Sequence, residues 1–129
     1  MNPPEMEFFK MSAAGNDFIL FDNRPGTLKQ DALPDLVRRI CTRALSVGAD
    51  GVILLGPSPT ANLKATFFNP DGRPTFCGNG ARCAARLAYL KGMAPARMTV
   101  ETSVMVHRAE VKGSQVSFEM RDPQGFDDQ

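Results

Sequence analysis

The sequence predicts an α+β domain in which a curved sheet wraps around an alanine-rich helix. Three observations carry this. Short strand-like runs recur through the 129 residues, bounded by clusters of Gly, Asn, Asp and Pro. Only two segments have helical periodicity. The second of these is small and apolar nearly all round, which marks a helix enclosed by protein with sheet packed close to it.

Residues 6–12 and 18–21 read as two strands around a turn at Ala14-Gly15-Asn16-Asp17. Gly, Asn and Asp tolerate the backbone angles that a tight turn needs. Arg24-Pro25-Gly26 closes that unit. The clearest helix follows, with Leu33, Leu36, Val37, Ile40, Cys41, Ala44 and Leu45 on one stripe. Asp31 is its predicted N-cap and Gly48 lies just past its end. Residues 52–55 form a continuous apolar run, predicted as a buried strand, and Gly56-Pro57-Ser58-Pro59 is a loop. Residues 64–68 read as another strand, ended by Asn69-Pro70-Asp71-Gly72. The second helix is expected over residues 79–91, with Gly92 as its stop and a narrow polar stripe at Arg82, Arg86 and Tyr89. Residues 98–101, 104–111 and 116–120 are strand-like, the last two joined at Lys112-Gly113-Ser114. The polar segment 121–129, with Pro123 and Gly125, reads as a linker or tail, leaving 1–120 as one domain.

Composition is that of an ordinary globular protein, 43% hydrophobic and 22% charged. A net charge of +1, with scattered basic residues and no interleaved aromatics, gives no nucleic-acid or membrane surface. No apolar run reaches the roughly 20 residues of a membrane span. The N-terminus lacks the charged and apolar regions of a signal peptide, so a cytoplasmic protein is expected. Three cysteines, Cys41, Cys77 and Cys83, do not make a disulfide framework. They suit a reducing compartment.

The run Phe76-Cys77-Gly78-Asn79-Gly80-Ala81-Arg82-Cys83 is the chemical centre of the chain. It sets a thiol in a glycine-broken turn directly before a helix. Unpaired N–H groups and the positive end of the helix dipole favour an anion there, a thiolate or a bound carboxylate. Gly78-Asn79-Gly80 fits neither common phosphate signature, so a carboxylate is the expected anion. Cys77 alone reads equally well as a small residue in a tight turn. Two further Asn-bearing turns, Gly15-Asn16-Asp17-Phe18 and Asn69-Pro70-Asp71-Gly72, tip the balance. Asparagine offers both a donor and an acceptor, as an amino-acid substrate requires. Cys77 and Cys83 do not form a metal site, because zinc wants four ligands and the single histidine, His107, lies far along the chain. His107 is expected on the surface of the sheet. Cys41, on an apolar stripe, reads as core.

These motifs are recognisable. Lys10-Met11 followed by Gly15-Asn16-Asp17-Phe18 resembles the opening motif of the diaminopimelate epimerase family. Gly48-Ala49-Asp50-Gly51 is similar to its second motif. Phe68-Asn69-Pro70-Asp71-Gly72 and Cys77-Gly78-Asn79-Gly80-Ala81-Arg82-Cys83 resemble its signature. Glu101-Thr102 and residues 120–123 also fall where the family has similar residues.

The resemblance implies a barrel-like, mostly antiparallel sheet around a central helix. It also implies stereoinversion at an amino-acid α-carbon, without cofactor or metal, between LL- and meso-diaminopimelate in lysine and peptidoglycan-precursor synthesis. One cysteine removes the α-proton and a second, on the opposite face, returns one. Cys77 matches one of the two; Asn16, Asn69 and Asn79 match substrate-contacting positions. Gly78 and Asn79 would offer backbone N–H groups to the α-carboxylate. The family pairs two similar domains, the second carrying the other cysteine, which neither Cys41 nor Cys83 matches. The chain is therefore expected to be the N-terminal half and inactive, or nearly so, alone. Its partner would be a C-terminal domain, a second chain or a second copy of itself.

Three departures from the family pattern stand out: Ala13 in place of a glycine, Arg73-Pro74 in place of Ser-Glu, and a loop to Cys77 that is one residue shorter. Arg73-Pro74 motivates a second reading, a racemase of another amino acid such as histidine on the same fold. A third is a module that binds an amino acid without inverting it.

Overall fold

The computed structural model describes residues 7–26, 28–41 and 50–120. Eight strands form one mixed sheet: β1 (Phe9–Ala13), β2 (Asn16–Asp22), β3 (Gly51–Gly56), β4 (Leu63–Phe68), β5 (Pro74–Thr75), β6 (Arg97–Glu101), β7 (Val106–Lys112) and β8 (Gln115–Phe118). Helix α1 (Leu33–Cys41) lies between β2 and β3, and α2 (Gly78–Leu90) between β5 and β6. The spatial order is β1-β2-β3-β4-β6-β7-β8, with β5 beside β4. β2–β3 and β4–β6 are parallel; the other pairs are antiparallel. The two parallel joints are the two places where a helix intervenes, as a parallel connection requires.

The predicted elements are present, with shifted ends. The β1–β2 hairpin turns on Ala14 and Gly15, both at positive φ (52° and 86°). This is the backbone of a two-residue hairpin loop whose twist matches the strands. The sequence reading placed Asn16 and Asp17 in that turn; they instead open β2, paired with Ala13 and Ser12. Asp31 does not cap α1. It lies in a 3₁₀ turn, Gln30–Ala32, that leads into the helix. Pro34 explains the later start, because a ring without an N–H is tolerated in the first helical turn. Ala44, Leu45 and Gly48 lie outside the described residues.

β2 and β3 are covered on both faces, so they read as unbroken apolar runs rather than alternating ones. Phe18, Leu20, Ile53, Leu55 and Phe67 face α2. Ile19, Phe21, Val52 and Leu54 face α1, together with Leu33, Val37 and Cys41. α2 is the hub. It touches β1, β2, β3, β4, β7 and β8, so the sheet curls around it from edge to edge. Gly80, Ala81, Cys83, Ala84, Ala85, Leu87 and Ala88 are all buried. Only Arg82, Arg86, Tyr89 and Leu90 escape full burial beyond the first turn. That is the predicted polar stripe, with Leu90 added. Gly92 ends the segment at φ 74°.

The approach of α2 to the sheet is closest at Gly80. A Cβ there would lie 3.0 Å from Ile53 Cδ1 and 3.3 Å from the Phe18 ring. Gly80→Ala is expected to cost about 1–3 kcal/mol through overpacking. It should lower the urea midpoint without changing the slope of the transition.

Candidate functional site at the start of the central helix

Cys77 is the residue at the N-terminal boundary of α2, with extended backbone (φ −142°, ψ 121°). The first bond of the helical ladder runs from Ala81 N–H to the Cys77 carbonyl at 2.8 Å. The N–H groups of Gly78, Asn79 and Gly80 therefore precede that ladder. The Cys77 side chain does not cap them and no acidic residue sits in the first turn. A helix start of this kind favours an anion.

Three turns that are far apart in sequence meet here. Asn16, Asn69 and Cys77 line one cleft of about 180 Å³, together with Asp50, Gly51, Phe67 and Thr75 among others. Asn79 is not on its wall but stands directly behind it, donating from Nδ2 to Asn16 Oδ1 at 3.0 Å. Gly78 is set back as well, beneath Met120, whose Cε would lie 3.0 Å from a Cβ on Gly78.

Each turn is fixed by its own bonds. Asp50 holds the Asn16 turn: its Oδ2 accepts from Asp17 N–H at 2.8 Å and its N–H donates to Asp17 O at 2.8 Å. The Asn69 turn is closed by Asn69 N–H to Arg73 O (2.8 Å) and Gly72 N–H to Asn69 O (2.9 Å). Gly72, at φ +89°, sits so near α1 that a Cβ would lie 2.7 Å from Pro34 O. Phe67, on the cleft wall, meets Phe76 edge to face at 5.4 Å between ring centres.

The direction of one amide pair follows from a donor that cannot accept. Arg82 donates to Asn79 Oδ1. Guanidinium has no acceptor, so Asn79 must turn its oxygen to Arg82 and its NH₂ to Asn16. Asn16 then presents its oxygen to Asn79, which leaves its own NH₂ directed elsewhere.

Cys83 is a different kind of thiol. It is buried among Ala81, Ala84 and Ala85. Burial pushes its pKa up, with the Cys77 thiol adding to this and Arg82 opposing it. It packs, as expected, and is held protonated. Cys41, on α1, is buried against the opposite face of the sheet. Among the described residues no group of three or more His, Cys, Asp or Glu is gathered as a metal site would require. No helix of the described residues is long and apolar enough to cross a membrane.

Two roomier depressions hold none of Asn16, Asn69 and Cys77, although Arg82 and Cys83 border the second. One, about 670 Å³, lies on β6–β8 beside Arg97 and Arg108; the other, about 650 Å³, runs along α2 between β1 and β8. The smaller cleft is the candidate because the reactive groups converge there.

His107 is the main departure from the sequence reading. It is fully buried, not on the sheet surface. It falls in phase with Ala109 and Val111 on the inner face of β7. Thr75 was missed as a cleft residue because Pro74 argues against a strand, yet Phe68↔Pro74 and Phe67↔Thr75 pair at the sheet's margin. Asp50 was read only as part of a motif.

The sequence profile described as diaminopimelate epimerase matches residues 8–124. The chain belongs to the diaminopimelate epimerase family. Diaminopimelate epimerase from Chlorobaculum tepidum is 43% identical over 122 residues, 92% of this chain and 47% of its own length. The Moorella thermoacetica enzyme of the same name is 43% identical over 116 residues, 87% of this chain and 41% of its own. The chain thus spans under half the length of these relatives. Among solved structures, a phenazine biosynthesis protein of the PhzF family from Bacillus anthracis superposes with a TM-score of 0.67 at 18% identity. It covers 89% of this chain and 40% of that one, and it shares the fold.

Two outcomes are expected. Arg82→Leu should shift the side-chain NH₂ resonances of both Asn79 and Asn16 and cost about 1 kcal/mol; Arg82→Lys, which keeps a donor, should do less. Because the folded chain holds the Cys83 proton more tightly than the unfolded chain does, its stability contribution is complete below the unfolded thiol pKa. It falls as pH rises through about 8.5. Urea midpoints from pH 7 to 10 should decline, and Cys83→Ala should flatten that decline.

Proposed function

We propose that this chain supplies one half of the active site of a diaminopimelate epimerase. The observation that carries the reading is the meeting of Cys77, Asn16 and Asn69 in one cleft at an uncapped helix start. The substrate's α-carboxylate lies against the N–H groups of Gly78 and Asn79, and the amides of Asn16 and Asn69 orient the α-carbon. Asn79 acts on the substrate through its backbone N–H, while its side chain orients Asn16. Cys77 as thiolate takes the α-proton and becomes a thiol. A second thiol delivers a proton to the opposite face of the carbanion, and the configuration inverts.

An α-proton is far less acidic than a thiol. General acid–base help supplies about 10²–10⁴-fold. Stabilisation of the enolate-like charge by preorganised N–H groups and exclusion of water supply the rest.

The size of the cleft supports a divided site. At about 180 Å³ it is smaller than the roughly 300–1,000 Å³ typical of complete small-molecule pockets. Cys83 and Cys41, both buried, cannot be the second base. The second thiol and the groups that read the far end of diaminopimelate belong to a second domain, which residues 121–129 would lead toward. Arg73 gives no support to another substrate: it is exposed, pairs with Asp71 and does not line the cleft.

The test is α-proton exchange of diaminopimelate in deuterated water, with backbone amide shifts followed in parallel. The chain alone should shift Gly78 and Asn79 amides on adding diaminopimelate, more than on adding histidine, and exchange near background. Cys77→Ser should abolish whatever exchange remains. Brisk exchange by a strict monomer would overturn the divided two-thiol site. Exchange that grows with the square of chain concentration would replace the second domain by a second copy. Binding unchanged in Cys77→Ser, with no exchange under any pairing, would favour a binding module.

A further inference from the structure

We propose that His107 is a positioning residue for the Cys77 turn, acting through the two residues that bracket it. The inference rests on Cys77 being the reacting thiol.

His107 is wholly buried and both ring nitrogens are engaged. Nδ1 lies 2.6 Å from the Glu119 carbonyl, and Nε2 lies 2.7 Å from Thr102 Oγ1. A carbonyl only accepts, so Nδ1 carries the proton. Nε2 meets Thr102 Oγ1, which also receives Val104 N–H at 3.1 Å and lies 3.3 Å from the Met105 carbonyl. The ring stacks on Phe76, nearly parallel at 4° and 5.4 Å between centres, and packs against Phe118 at 4.8 Å.

An apolar side chain could fill this space without desolvating two nitrogens. What an imidazole adds is direction, because a satisfied buried network specifies one arrangement of the groups it joins. Those groups flank the reactive turn. Phe76 immediately precedes Cys77 and is held flat against the imidazole. Glu119, just past the end of β8, is tied by its carbonyl. Its neighbour Met120 therefore lies over Gly78, immediately after Cys77. One ring thus fixes the residue before Cys77 and the residue that covers the position after it. The same ring sets the direction in which the chain leaves β8 relative to the thiol.

The experiment compares wild type with His107→Phe, which keeps an aromatic ring and loses both hydrogen bonds. Two readouts are taken on the whole chain: ¹⁵N chemical shifts of the imidazole with the amide shift of Gly78, and the rate of Cys77 alkylation by iodoacetamide, located by peptide mass spectrometry. Wild type should show a proton on Nδ1. His107→Phe should shift the Gly78 amide and raise Cys77 alkylation about threefold or more, as a thiol freed from its packing becomes more accessible. Cys83 should stay unreactive, which separates local release of the turn from general loosening. If His107→Phe does not fold, Thr102→Val removes only the hydroxyl partner of Nε2 and should move both readouts the same way.

A wild-type ring with no proton on Nδ1, or unchanged alkylation and Gly78 shift in the variants, would overturn the proposal. Altered alkylation in a chain whose exchange chemistry survives Cys77→Ser would instead overturn the reading of Cys77 and leave the positioning intact.

Discussion

The enclosure of α2 is the constraint on which the rest of the structure depends. A helix touched by six strands cannot carry bulk, so its buried face is built from Gly80, Ala81, Cys83, Ala84, Ala85 and Ala88, with Leu87 the one large side chain among the buried residues. Small residues let the sheet come close, and closeness makes the sheet curve. The curvature brings the β1–β2 turn, the β4–β5 turn and the helix start to one end of the curled sheet. The cleft is a product of that packing. A bulkier helix would push the sheet outward and separate Asn16 from Asn79, whose bond is only 3.0 Å long.

The same enclosure sorts the three cysteines into roles. None of the three is in a disulfide, and all carry the same short side chain. Cys41 and Cys83 point into apolar packing, and burial raises Cys83. Cys77 stands one residue before the helix, half-buried, where the chain has not yet entered the core. A single helical boundary separates a packing thiol from one that faces a cleft. The polar groups there are also directional. Arg82, with donors only, dictates how Asn79 and Asn16 turn toward each other.

Much of the architecture was legible in the sequence because the relevant signals are local. The i, i+3, i+4 stripe of α1, the small-residue character of α2 and the apolar run of β3 each follow from side-chain pattern alone. The motif turns of Asn16, Asn69 and Cys77 were found by residue type, and the structure brings all three together. What was not legible depended on phase or on distant contacts. In the segment 104–111, Val104 and Val106 suggest one inner phase and Ala109 and Val111 the other. His107 belongs to the second phase, which only pairing with β6 and β8 decides. β5, two residues long and begun by a proline, has no periodicity to read. The 3₁₀ entry to α1 reflects Pro34, which overrode Asp31 as a cap.

The contacts of α2 also set the order in which the domain can be completed. The helix rests on β1 at one end of the sheet and on β8 at the other, so its packing joins residues about a hundred positions apart. Its alanines gain little from a partial shell, and the two parallel joints each wait for a helix to close them. Long-range closure of this kind slows folding relative to local hairpins. During synthesis, the sides of α2 that face β7 and β8 stay uncovered until that hairpin has emerged, a window in which apolar surface is exposed to wrong partners. The residue that gives the Cys77 turn its place, His107, is on that final hairpin. The thiol is therefore made early and acquires its setting last.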